Sequence, residues 1–457
     1  MISDLKVSHS GIRGIVGESL TEETVFKFTW AFAQLAKRHS ESPLLVLGRD
    51  TRPSGPELRQ AVLSALSLSG CRVTDLETVP TSTVLVMASN LGADGAVIIT
   101  ASHNPPEWNG LKFYLGPPHI ALDSDQIRLL TGLFQTRTQQ MPNAAPPEPA
   151  RAREEAMKVH LARCLDLVDA EKIRARRFRV AFDSGRGAGE EVGIRLLEKL
   201  GCEVLSVEVE RPSEPVPENL AALCWHVADN DCDLGMALDL DGDRLALVSE
   251  KEQAVGEDYT FPLVLQRLLQ RWKEEDHTGR PLVAKSAETT SMIDSLALAA
   301  GAELVECAVG EVNLSKCVWE ACQERRRAIG GENTGGVIIP SVCFCRDGMA
   351  SAAMLLEHAA NSGASLSRLI ASLPHRHIIK LNIPHMGSEE ANSFIRALER
   401  RFAAQKQSRL DGLKVLFDDG SWFIVRPSNT EPLVRLVVDA DDEARAASLA
   451  DQVLALA

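Results

Sequence analysis

The sequence predicts an α/β protein of four domains, three related α/β units with mixed sheets followed by an α+β domain with an antiparallel sheet. Three observations carry the prediction. At 457 residues the chain exceeds what one ordinary core accommodates. Short apolar runs, each leading into a polar loop and then a helical pattern, recur through three successive stretches. From about Ile378 that rhythm gives way to four strand patterns and two helices, the signature of an antiparallel sheet covered on one face.

The elements follow in order. Ser19-Leu-Thr-Glu22 reads as a capping box, and Val25, Phe26, Phe28, Phe32 and Leu35 continue at helical spacing. Leu44–Leu47 reads as a buried parallel strand, Pro56–Leu68 as a helix, and Ala96–Ile99 as a second strand. Pro142 to Pro149 offers proline and alanine with little to pack, and places the first boundary, giving domain I as 1–150. Domain II (151–254) begins at the strand Phe178–Phe182, continues through a helix to Leu200, and closes with the strand Leu234–Leu238. Domain III (255–373) shows the strand Leu282–Ala284, the helix Met292–Ala299 and the strand Ala328–Ile329. Domain IV (374–457) has strands at Ile378–Leu381, Lys414–Phe417, Trp422–Val425 and Leu433–Val438, with helices at Ser388–Phe402 and Glu443–Leu456.

Composition narrows the function classes. A hydrophobic share of 45% and a charged share of 25% are those of a globular protein. With 49 Lys and Arg against 63 Asp and Glu, the net charge of −14 argues against nucleic acid as partner, though a basic cleft on an acidic body still suits a small phosphorylated ligand. No apolar run approaches the roughly 20 residues of a membrane span, and Met1–Lys6 lacks a signal pattern, so the expected compartment is cytoplasmic. The ten cysteines form no CxxC pair; Cys343 and Cys345 lack a second ligand pair for zinc.

Four loops carry chemistry. Thr100-Ala-Ser-His-Asn-Pro105 follows a strand directly, and ligands collect beyond the carboxyl ends of strands in open α/β sheets. By itself a polar turn closed by Pro105 and Pro106 explains it as well. Asp239-Leu-Asp-Gly-Asp-Arg244 puts three carboxylates within five residues, which repel unless a cation compensates, and hard oxygen ligands suit magnesium or calcium. An EF-hand is excluded, since Arg244 stands where that loop needs glycine. Gly330-Gly-Glu-Asn-Thr-Gly-Gly336 is glycine-rich but lacks the P-loop ending; Glu332 suits sugar hydroxyls, and a plain turn is equally compatible. Arg426-Pro-Ser-Asn-Thr-Glu-Pro432, followed by Arg435, offers an arginine fork and short donors for phosphate.

Taken together, one loop in each domain and in this order, the four resemble the α-D-phosphohexomutase family from end to end. Ser10-Gly-Ile-Arg-Gly14, Gly48-Arg-Asp-Thr-Arg-Pro53 and Pro105–Phe113 support the resemblance. It implies four domains around a central cleft and the interconversion of hexose 6-phosphate and hexose 1-phosphate. The route it implies is a phosphoserine enzyme and a 1,6-bisphosphate that acts as intermediate and activator. Ser102 would carry the phosphoryl group; Asp239, Asp241 and Asp243, with a phosphoserine oxygen from Ser102, would bind Mg2+. Arg13, His103, Lys112 and Arg244 would surround the phosphoryl group, with Lys112 a candidate acid or base if nearby cations lower its pKa. Glu332 and Thr334 would contact the sugar, and Arg426, Ser428, Asn429, Thr430 and Arg435 would grip the distal phosphate. A hinge is expected near Pro374, and a monomer or homodimer. Many members end the sugar loop with Ser-Gly-His, where this chain has Thr334-Gly-Gly336. That form resembles the phosphoglucosamine mutase branch, with phosphomannomutase and phosphoglucomutase as alternatives. A phosphatase using Asp239 and a non-catalytic sugar-phosphate binder are the remaining readings.

Overall fold

A computed structural model describes residues 5–137, 141, 145–275, 279–384, 386–428 and 433–457. They fold into four sheets. In the first, the parallel strands Leu44–Arg49, Arg72–Thr78 and Gly95–Ile99 form the centre. Trp108–Leu115 joins Gly95–Ile99 antiparallel, and the hairpin Lys6–Ser8 and Gly11–Ile15 extends that side. The short Ile120–Ala121 pairs with Trp108–Leu115, and Ala150–Arg151 with the far edge. The second sheet runs in the order Glu203–Ser206, Arg179–Asp183, Leu234–Leu238, Leu245–Ser249 and Ala254–Val255. The third runs Glu303–Cys307, Leu282–Ser286, Ala328–Gly331 and Val337–Ile338. In both, the first three strands are parallel and the rest antiparallel.

The fourth sheet is wholly antiparallel, in the order His377–Pro384, Leu433–Ala440, Trp422–Pro427, Leu413–Leu416 and Lys406–Ser408. It has one strand more than the sequence pattern predicts. Lys406-Gln-Ser408 is a polar edge strand with no apolar alternation to announce it. The helices Ser388–Arg401 and Glu443–Leu454 complete the domain. A second difference lies at the first helix, Glu22–Ala36, whose cap is Thr21, accepting from Thr24 N. Ser19, the expected cap, instead accepts from Ile15 N at 2.9 Å and fastens the preceding turn.

Packing separates the first three domains from the fourth. One continuous apolar cluster includes Val46, Phe182, Val283 and Leu355, so the first three units share a core. The last domain has its own core around Phe394, Leu398, Phe423 and Val438. It meets the third through a small patch, Ala287, Trp422, Ile424 and Val437, and through polar bonds such as Trp422 Nε1 to Ser291 Oγ at 2.7 Å. At the centre of the shared core lies the helix Gly348–Ser362, capped by Asp347, whose Oδ1 accepts from Met349 N at 2.9 Å. Asp347 Oδ2 meets His160 Nε2 at 2.8 Å, and His160 Nδ1 meets Thr83 Oγ1 at 2.8 Å. The nearby Cys164 completes a set of ligand types, but with both ring nitrogens and both carboxylate oxygens partnered it reads as a satisfied buried polar chain.

Candidate active site

Each of the sheets in the first three domains delivers a loop from the carboxyl end of a parallel strand. Thr100 follows Gly95–Ile99, Asp239 follows Leu234–Leu238, and Glu332 follows Ala328–Gly331. Ser102 is buried and has φ +52°, a left-handed conformation that costs an L residue roughly 1–2 kcal/mol. Arg52 holds it there. Its guanidinium donates to the carbonyls of Ser102 (2.8 Å), Asn104 (2.6 Å), Pro105 (2.7 Å) and Trp108 (2.9 Å), while Asp50 accepts from its Nε at 3.2 Å. Ser102 Oγ comes out 3.3 Å from Asp239 Oδ2 and 3.4 Å from His103 Nδ1. Burial, with the charges of Arg244, Arg13 and Arg346, pushes His103 well below its ordinary value.

The three aspartates of the second loop are fully buried. Asp239 Oδ1 accepts from the backbone of Asp243 (3.1 Å) and Arg244 (3.2 Å), which curls the loop around Gly242 at φ +70°. Asp241 Oδ2 accepts from Thr81 Oγ1 (2.8 Å) and Lys112 Nζ (2.6 Å); Asp243 Oδ2 accepts from Lys112 Nζ (3.0 Å) and Arg346 Nη2 (2.7 Å). Burial and the two neighbouring carboxylates hold Asp239 well above the usual carboxylate range. Burial also acts on Asp241 and Asp243, but Lys112 on the first, and Arg346 and Lys112 on the second, outweigh it and hold both low. Ligand oxygens of all three lie within 4.8 Å of one another, and Asp241 Oδ1 and Asp243 Oδ1 are buried without a hydrogen-bond partner. Hard, anionic, partly orphaned oxygens converging on one point fit a small divalent cation.

Cations ring this cluster. Arg13 donates to Asn104 Oδ1 at 2.7 Å, and burial lowers it to about 10. Arg244 reaches His103 Nδ1 (3.2 Å) and Glu214 (3.3 Å). For Lys112 burial acts to lower the pKa, but Asp241 and Asp243 hold it above its ordinary value, the opposite direction to the lowering that an acid or base role calls for. Arg346 connects the loops, donating from Nη2 to Asp243, from Nη1 to Glu332 Oε2 (3.0 Å) and from Nε to Glu311 Oε2 (3.0 Å). Thr334 Oγ1 donates to Glu332 Oε2 at 3.3 Å. Across the gap, Arg426 Nε donates to Glu288 Oε2 at 2.9 Å.

A solvent-open cleft of about 1120 Å³ joins these parts. Arg13, His103, Lys112, Arg244, Glu332, Thr334, Arg426, Ser428 and Arg435 all line it, so residues from all four domains meet around one space. Asn429 and Thr430 lie outside the described residues. Sequence reading missed Arg346, Glu288, Glu311 and the support of Arg52. Glu288 follows the strand Leu282–Ser286, so the strand-end rule could have found it. Arg52 lay inside the Gly48–Pro53 segment, and Arg346 carried no local signal.

An α/β framework with a buried serine and aspartate cluster beside cations that line one cleft has the parts of a phosphoryl-transfer enzyme. Comparison with known proteins makes it specific. Models of the phosphoglucomutase/phosphomannomutase family match as α/β/α domain I over residues 4–140, domain II over 158–253, domain III over 257–377 and the C-terminal domain over 386–456. A "Phosphoglucomutase/phosphomannomutase" of Thermococcus kodakarensis is 35% identical over 448 residues, 95% of this chain and 94% of that protein. A "Probable phosphoglucosamine mutase" of Methanopyrus kandleri is 34% identical over 452 residues, 97% of this chain and 95% of that one. A crystal structure of a phosphoglucomutase/phosphomannomutase family protein from Burkholderia thailandensis superposes with a TM-score of 0.83 at 25% identity, covering 100% of this chain and 97% of that one. The chain belongs to the phosphoglucomutase/phosphomannomutase family of α-D-phosphohexomutases, and is a hexose phosphomutase, an isomerase.

Proposed function

We infer that the chain interconverts hexose 6-phosphate and hexose 1-phosphate through a phosphorylated Ser102 and a hexose 1,6-bisphosphate, with glucosamine phosphate as the preferred substrate. The observation that carries the route is Ser102 Oγ at 3.3 Å from Asp239, one of three buried aspartates that Lys112 and Arg244 also meet. Asp239, Asp241, Asp243 and an oxygen of phosphorylated Ser102 would hold Mg2+, which supplies charge stabilisation to the phosphoryl oxygens. In the first transfer a free sugar hydroxyl oxygen forms a bond to phosphorus, the bond from phosphorus to Ser102 Oγ breaks with its electron pair staying on Oγ, and the proton lost by the sugar hydroxyl ends on Ser102 Oγ, restoring the serine hydroxyl. The bisphosphate turns over in the cleft, and its other phosphoryl group returns to Ser102. Arg13, Lys112 and Arg244 serve both transfers as fixed cations toward the equatorial oxygens. Arg426, Ser428, Asn429, Thr430 and Arg435 grip the phosphate that is not reacting, and Glu332 with Thr334 orients the sugar hydroxyls. Motion of the C-terminal domain about the segment near Pro374, on its small apolar contact, lets one grip serve two orientations.

The preference for glucosamine phosphate draws on the relatives named for it and on the Thr334-Gly-Gly336 ending of the sugar loop. Glucose and mannose phosphates are the alternatives. The route is tested by treating the protein with glucose 1,6-bisphosphate and mapping the product by mass spectrometry. One phosphoryl group on the peptide containing Ser102 is expected; modification of an aspartate instead would point to a phosphatase-like course.

A further inference from the structure

Gly336 is glycine for a reason outside its own backbone. Its φ is not in the left-handed region, yet a Cβ placed there would stand 2.2 Å from Arg346 Cδ and 2.9 Å from Cγ. The stem of Arg346 therefore fills the space that a side chain at the end of the sugar loop would take. The guanidinium it delivers meets three carboxylates from three segments: Asp243 of the aspartate loop, Glu332 of the sugar loop, and Glu311 at the start of the helix Glu311–Gln323. Its backbone is fixed as firmly. Arg346 bridges Ile338, Asp347 N donates to Val337 O at 3.0 Å, and Asp347 is itself locked to His160 and to the helix it caps. A planar fork with separate acceptors on Nε, Nη1 and Nη2 fixes the directions between them, which a lysine ammonium cannot do.

We propose that Arg346 is a positioning residue of the active site, its guanidinium setting the sugar-loop Glu332 against the aspartate loop in the space that Gly336 leaves open. The inference rests on the mutase reading and adds to it a residue through which sugar recognition and phosphoryl transfer are held in register. Misplacement of a substrate by an ångström costs about 100-fold in rate, so loosening this link is felt in turnover.

The test compares kcat and KM of the full chain and the variants R346M, R346A, R346K, G336A and G336A/R346A, with magnesium, glucose 1,6-bisphosphate and the best of the three hexose 6-phosphates. R346M keeps the stem and removes the head; we expect its kcat to fall at least tenfold in protein that circular dichroism shows to be folded at the assay temperature, and R346K to recover only part. G336A, whose methyl displaces the stem, falls comparably, but adds less than about threefold once Arg346 is replaced by alanine, because both changes act on one guanidinium. Turnover of R346M within about threefold of wild type overturns the proposal, as do losses in G336A and R346A that multiply. R346K restoring full turnover also overturns it, since a charge alone would then suffice. Wild-type protein that isomerises no hexose phosphate sinks the mutase reading and this one together, whereas active wild type with indifferent variants sinks only this one.

Discussion

Ser102 sits at φ +52° whether its side chain ends in a hydroxyl or a methyl, since the backbone cost comes from Cβ. Ser102→Ala should therefore keep the melting temperature within a few degrees while losing all detectable phosphorylation by glucose 1,6-bisphosphate, read by intact mass. Asp239 gives a second prediction of opposite sign for stability and function. Burial and two like charges disfavour its ionised form, and an asparagine in its place would keep the two backbone hydrogen bonds to Oδ1. Without magnesium, Asp239→Asn should melt at or above the wild type; on adding magnesium it should lack the upward shift that the wild type shows in differential scanning calorimetry. The serine and the aspartates were legible because each chemistry-bearing residue lies in a short run next to a strand end. Arg346 was not: its partners Glu332, Asp243 and Glu311 lie 14, 103 and 35 positions away, and only the folded chain brings them together.

At the scale of elements, the serine loop is an arginine-organised turn. Removing Arg52 takes a donor from four carbonyls and leaves the buried Asp50, already raised to about 6 by burial, without its cation. Arg52→Ala should cost about 3–5 kcal/mol in urea unfolding, the range for breaking a buried pair. The helix Gly348–Ser362 carries a pH effect. Burial, followed by the Arg267 charge, pushes His358 down to about 4 from 6.5, so between those values the unfolded chain binds a proton that the folded chain does not. Its contribution is intact above pH 6.5 and is lost progressively as pH falls through 4, by at most about 3 kcal/mol. His358→Gln should flatten that limb; urea midpoints at about pH 7 and about pH 5 that fall equally in both proteins would contradict it. Apolar periodicity made Met292–Ala299 and Leu234–Leu238 legible to the residue. It could not find Lys406–Ser408, whose pairing is specified by its neighbour, nor choose Thr21 over Ser19, since either hydroxyl satisfies the local pattern.

Across the whole molecule, three domains share one core and the fourth keeps its own, joined to the third by a small apolar patch and by polar pairs such as Glu288–Arg426. Arg426→Ala should raise KM for hexose 6-phosphate roughly 10- to 100-fold, the worth of a charge-assisted phosphate contact, in steady-state assays. The four-part organisation was legible because apolar rhythm and motif order change together along the chain. The Glu288–Arg426 pair between third and fourth domains was not, since no local pattern fixes how one domain docks on another. The central claim is that Ser102 carries the phosphoryl group in a mutase. Phosphorus NMR of glucosamine, glucose and mannose 6-phosphates, each with magnesium and a trace of the matching 1,6-bisphosphate, tests it directly. Wild-type protein should generate the 1-phosphate, fastest with glucosamine, and Ser102→Ala none. Equal conversion by both proteins, or release of free phosphate in place of a 1-phosphate, would contradict the account.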